Sequence, residues 1–201
     1  MPTPKTEMFE IVDEQDRVVG IAPRSLCHGN PTLIHRVAHV LVFRPDGELL
    51  LQKRSRHKDI QPGKWDTSVG GHLDPGEDYR TAAIREMREE LGLSGLPLTF
   101  LYPSKIRNEV ESENVATFLA VHGGAIRFSR QEIEEVRFWR GEEIDAALGS
   151  GLFTPNFEEE WRLFQDWSRR LAGRTRPGIA FCGGESFPDL LREWMGSEGE
   201  R

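Results

Sequence analysis

Short apolar runs separated by charged, glycine- or proline-bearing turns fill the first third of the chain. Met8–Val12 and Arg17–Ala22 flank Asp13–Asp16 and predict a hairpin. Pro23–Asn30 reads as a helical turn or loop. Arg36–Phe43 and Glu48–Arg54 flank Pro45-Asp46-Gly47, where proline presets φ and glycine admits positive φ, so they predict two paired central strands. Ser55–Lys64 is a polar, basic loop, and Trp65–Val69 a short strand leading into a glycine-bearing loop, Gly71–Glu77. A 3.6-residue period then covers about Asp78–Leu91, with Ile84, Met87 and Leu91 predicted to face the core. Leu98–Ile106, Val115–Val121 and Val136–Trp139 read as strands, with Arg107–Asn114 as an acidic connector. Glu142–Leu148 and Phe157–Leu171 read as helices, the second with Trp161, Phe164, Trp167 and Leu171 on one side. Strands on both sides of a central helix, followed by late helices, predict an α/β fold with a mixed sheet between helices. The expected division is a domain over residues 1–172 and an extension over 173–201, weakly docked or flexible, broken by Gly183-Gly184 and Pro188.

Composition narrows the partners. The 201 residues suffice for one domain with a real core, and 37% hydrophobic with 29% charged residues is ordinary for a globular protein. A net charge of −7 leaves no basic footprint for stable nucleic-acid binding, although a local basic cluster can still hold a phosphorylated small molecule. Cys27 and Cys182 make no disulfide framework. No signal-like or membrane-spanning apolar run is present, so the expectation is a cytoplasmic protein with no membrane association, monomeric or homodimeric.

Chemistry concentrates in Gly71–Leu93. On the helical period Glu86, Glu89 and Glu90 fall together, opposite the apolar stripe. Like charges at this spacing cost about 0.2–0.5 kcal/mol per pair. A solvated acidic face is one reading. The other is a set of hard oxygen ligands on a rigid helix, suited to Mg²⁺ or Mn²⁺. Basic residues Lys53, Arg54, Arg56, Lys58 and Lys64 lie upstream, either as a solvated loop or as a phosphate clamp.

Gly71, Glu77 and Arg85-Glu86-Met87-x-Glu89-Glu90-x-Gly92-Leu93 resemble the Nudix hydrolase signature at every fixed position. The resemblance implies a Nudix α/β/α sandwich and cleavage of a diphosphate linkage by a metal-activated water, with Mg²⁺ or Mn²⁺ as cofactor and a small-molecule diphosphate as partner. It implies that Glu86, Glu89 and Glu90 hold metal, that Glu86 or a neighbour acts as base, and that Arg85 orients Glu86. Glu77 would brace the loop or add an outer-shell contact, and Gly71, among the substrate-binding residues, would let the backbone bend tightly.

The span from Met8 to about Pro155 also resembles the isopentenyl-diphosphate isomerase branch of that superfamily. The matching residues are Arg24-x3-His28, Leu33-Ile34-His35-Arg36, Leu50-Leu51-Gln52-x-Arg54, Lys58, Pro62-Gly63-x-Trp65, His72 and Glu111-x-Glu113. This resemblance implies a divalent metal on His28, His35, His72, Glu111 and Glu113, and a diphosphate on Arg24, Arg54 and Lys58. Two departures concern the reaction. Gly70 stands where those isomerases carry their catalytic cysteine, and Asn156 follows Phe153-Thr154-Pro155 where they carry a tryptophan. The hydrolase signature, degraded in the isomerases, is intact here. The expectation is therefore hydrolysis of a nucleoside di- or triphosphate or another diphosphate conjugate. The alternatives are an isomerase-like enzyme and a non-catalytic sensor of a phosphorylated metabolite.

Overall fold

The structure, a computed structural model, describes residues 7–58 and 60–175. Its contacts group into two compact units. The first holds the described residues up to Leu41 together with Val69–Ala120; the second holds Val42–Ser68 and the described residues from Val121 onward. Residues 176–201, most of the expected extension, lie outside the described residues.

In the first unit, β1 (Met8–Val12) and β2 (Val18–Pro23) form the expected antiparallel hairpin. The helical turn α1 (Arg24–Cys27) follows it. Strand β3 (Ile34–Phe43) is almost wholly buried and organises this unit. Val12 of β1 pairs with Ile34, and the strand Val69–His72 pairs antiparallel with Val37–Val40. The sequence reading of Trp65–Val69 as one strand, followed by a loop from Gly71, is corrected here. Trp65–Asp66 is β5 in the second unit, Thr67 and Ser68 break the run, and Val69–His72 is a separate strand, β6. Gly71 and His72 thus lie on a strand. The expected connector Arg107–Asn114 shrinks to four residues, because β7 (Thr99–Arg107) and β8 (Ser112–Val121) extend into it and pair with each other. Strand β8 also pairs with β3.

Helix α2 (Tyr79–Leu91) falls within the predicted span. Asp78 caps its start by accepting from the Thr81 N–H, and Gly92, at φ 66°, ends it while its N–H and that of Leu93 return to the Arg88 and Met87 carbonyls. The predicted buried stripe is wrong at one position. Ile84 is 45% exposed, and the buried residues are Ala82, Ala83, Met87, Glu90 and Leu91. The buried arc is centred on Ala83 and Glu90, so a reading by apolar residues alone rotates it too far. The three glutamates consequently do not oppose the core: Glu90 is buried, Glu86 is partly buried and Glu89 is exposed.

In the second unit, β4 (Leu49–Arg54) pairs antiparallel with β5 and with β9 (Ile133–Trp139), and Phe43 at the end of β3 pairs with Leu49. Helices α3 (Gly141–Ala147) and α4 (Pro155–Thr175) complete it, and α4 runs past residue 172. Its core is aromatic. Trp65 meets Trp139 edge-on at 5.3 Å, Trp139 meets Phe153 at 5.5 Å, and Phe43 meets Phe164 at 5.2 Å.

Candidate functional site

Two groups of chemically capable side chains lie in the first unit, and β6 separates them. Adjacent strand residues point to opposite faces. A Cβ built on Gly71 would stand 2.0 Å from the Glu86 carboxyl carbon, so the face that Gly71 presents is the one on which Glu86 of α2 rests. Gly71 has no positive φ. Its role is to leave room for that carboxylate rather than to bend the chain, which corrects the sequence reading. His72 points the other way. Its pairing partner Val37 shares its face, and so does His35, two residues before Val37.

On the Glu86 face, Arg85 gathers the acids. Its guanidinium donates to both oxygens of Glu77 (Nε to Oε1 3.1 Å, Nη2 to Oε2 2.8 Å) and to Glu86 Oε1 (2.7 Å), and it reaches Glu89 Oε2 at 3.4 Å. Nη2 also donates to the backbone carbonyl of His72 at 2.8 Å. Hydrogen bonding to Glu77, then to Glu86, raises the Arg85 pKa above its ordinary value. Burial works to raise the Glu77 carboxyl, but the Arg85 fork and the Asp74 N–H outweigh it and hold it low. Glu77 also accepts from the Asp74 N–H at 2.9 Å, closing the loop before the helix.

On the opposite face, His28, His35, His72 and Glu113 converge. One potential ligand atom from each lies within 4.8 Å of all the others. Glu111, also expected in this set, is buried but is not one of the four that converge. His35 Nε2 and His72 Nε2 approach Glu113 Oε1 at 3.2 and 3.5 Å. Yet both these nitrogens, and both ring nitrogens of His28, are buried without a completed hydrogen bond. Such orphaned polar atoms cost free energy unless something else satisfies them. Three imidazoles and a carboxylate are the donor set of a divalent transition-metal site. The residues therefore fit a metal ion. Phe9 of β1 lies against all three imidazoles, a contact with no signal in the sequence beyond the alternation of β1.

Burial, aided by the positive charge of Arg24, lowers the His28 pKa to about 4, and burial also lowers that of His72. Burial alone would raise Glu113, but the close imidazoles of His35 and His72 outweigh it and hold its carboxyl well below the usual range. All three shifts act in one direction. A histidine with a depressed folded pKa contributes stability above about pH 6.5 and loses it as pH falls towards about 4. Glu113 adds a loss at still lower pH. The urea midpoint of the metal-free protein is expected to fall steadily from pH 6.5 to 4, and a flat profile would contradict the buried, uncharged imidazoles.

The basic residues are distributed between the units. Arg24 starts α1 and pairs with Glu7 at 3.1 Å. Arg54 and Lys58 belong to the second unit. Arg54 donates to Asp66 (2.9 Å) and to the Ile60 carbonyl (3.0 Å), so it braces the basic loop, and Lys58 pairs with Glu132. Gly70, paired with His39, shares the face of His72 and brings no side chain to it.

The NUDIX domain family model matches residues 33–157. A Nudix hydrolase of Yersinia pestis is 36% identical over 157 residues, covering 77% of this chain and 84% of its own. An isopentenyl-diphosphate Delta-isomerase of Streptomyces griseus is 33% identical over 190 residues, covering 92% of this chain and 91% of its own. A crystal structure of a Deinococcus radiodurans protein superposes with a TM-score of 0.68 at 26% identity, covering 78% of this chain and 98% of that one. The chain belongs to the Nudix family, with its α/β fold, and is an enzyme of the Nudix hydrolase class. Among the described residues no helix is long and apolar enough to cross a membrane.

Proposed function

We propose that the protein is a divalent-metal-dependent pyrophosphohydrolase acting on a nucleoside di- or triphosphate or another diphosphate-linked small molecule. The observation that carries this reading is the single guanidinium of Arg85 holding Glu77, Glu86 and Glu89 beside a glycine that makes room for Glu86. Glu86, Glu89 and Glu90 would hold Mg²⁺ or Mn²⁺, which when bound supplies Lewis-acid stabilisation and a more acidic water. Arg85 fixes Glu86 through its 2.7 Å hydrogen bond, so Glu86 is placed to take a proton from the attacking water. Arg24, in the same unit as Glu86, exchanges its exposed partner Glu7 for substrate phosphate. His28, His35, His72 and Glu113 form a second and more imidazole-rich metal site.

The test is phosphate release from nucleotides, nucleotide sugars, dinucleoside polyphosphates and prenyl diphosphates, with and without Mg²⁺. Turnover should need metal and should fall by orders of magnitude in Glu86→Gln/Glu90→Gln while the protein stays folded. Unchanged turnover in that double variant would move the chemistry elsewhere. A second reading, isomerase-like chemistry on isopentenyl diphosphate, is favoured by the His/Glu convergence and opposed by Gly70. Formation of the allylic isomer without phosphate release would establish it over ours.

A further inference from the structure

We infer that Phe9 is a positioning residue for the imidazole-carboxylate metal site, its ring serving as the outer support that holds three histidines at ligand distance. This rests on the reading that His28, His35, His72 and Glu113 bind a metal ion. The Phe9 ring lies nearly parallel to His72 (centroids 4.2 Å, planes 13° apart) and to His35 (5.1 Å, 14°), and it touches His28 at 6.3 Å. The histidines pack on each other at 5.1 to 5.9 Å, so the four rings form one mutually contacting cluster.

Metal-ligating histidines are usually oriented by a hydrogen bond from the ring nitrogen that does not face the metal. For His35 and His28 such a bond is weak or missing. His35 Nδ1 lies 3.3 Å from the Leu33 carbonyl, and neither ring nitrogen of His28 has a hydrogen-bond partner. Ring packing must then do the orienting, and Phe9 is the one member of the cluster with no ligand atom of its own. It is only 2% exposed and belongs to a small core with Ile11, Ala22 and Cys27, which anchors its position independently of any metal.

The test uses the full chain, stripped of metal with a chelator, and Co²⁺ as a visible probe in competition with a chelating indicator. Phe9→Leu and Phe9→Met keep an apolar side chain but lose the flat ring. Ile11→Val, in the same small core but outside the ring cluster, is the packing control, and His35→Ala reports the site itself. Both Phe9 variants are expected to bind Co²⁺ about tenfold more weakly, the lower end of the effect of removing a ligand-orienting neighbour. Their Co²⁺ absorption bands should weaken, while Ile11→Val loses thermal stability without losing affinity. Wild-type affinity and spectrum in the Phe9 variants would overturn the role, as would an affinity loss that merely tracks the metal-free melting temperature across all three variants. Identical Co²⁺ binding by wild type and His35→Ala would instead remove the metal site, and this role with it.

Discussion

Gly71→Ala is expected to abolish most phosphoanhydride hydrolysis while leaving the protein folded. The added methyl carbon would stand 2.0 Å from the Glu86 carboxyl carbon and 2.2 Å from one of its oxygens. What it displaces is the far end of a flexible side chain rather than backbone, so the strand keeps its place and the carboxylate swings away. Misplacing a catalytic group by about 1 Å costs roughly 10²-fold in rate, and the displacement here is at least that large. Metal-dependent turnover should fall by about 10² or more, with a melting temperature within a few degrees of wild type. Circular dichroism beside a phosphate-release assay separates the two effects. An alanine variant with full activity would mean that the Glu86 carboxylate does not work from this position.

Arg85→Lys should be nearly as damaging to activity, and more damaging to stability. A lysine keeps the charge but cannot reproduce the fork on Glu77 together with bonds to Glu86 and the His72 carbonyl. The acids it leaves are partly buried, with side-chain exposures of 10% for Glu77 and 15% for Glu86. Breaking a fully buried pair costs 3–5 kcal/mol. Partial exposure and the retained charge reduce this to about 2 kcal/mol. Turnover should drop by about 10². Because the same guanidinium grips the backbone beside the imidazole cluster, Co²⁺ affinity there should weaken as well. Unaltered Co²⁺ binding in Arg85→Lys would show that the two faces of β6 act independently.

Much of this could be read along the chain. Helix α2 announces itself locally: Asp78 as cap, Gly92 as stop, and fixed spacing between Arg85 and its glutamates. What could not be read was non-local. The spacing of the large apolar residues puts Ile84 in the core, whereas alanines and Glu90 occupy the middle of the buried arc. Gly71 reads as a loop residue, since nothing in its neighbours tells a glycine that bends from one that makes room for a side chain fifteen residues later. The histidines were visible only as members of a family pattern. Their convergence depends on pairing Val37 with His72, a register no local signal encodes. That pattern included Glu111, yet only Glu113 of the two acids brings an oxygen into the four-atom group. Phe9 looked the same as any inward residue of a hairpin.

The brevity of β6 has a consequence for how such a sequence can drift. Four residues carry, in consecutive order, an empty position at Gly70, a clearance at Gly71 and an imidazole at His72. A single inserted or deleted residue in Val69–His72 would turn the imidazole towards the helix and bring a different residue beneath Glu86. Loops on either side can lengthen or shorten and change which molecule is accepted. This strand cannot, so insertion scanning should find it the least forgiving stretch of the chain, with both centres lost together rather than one at a time.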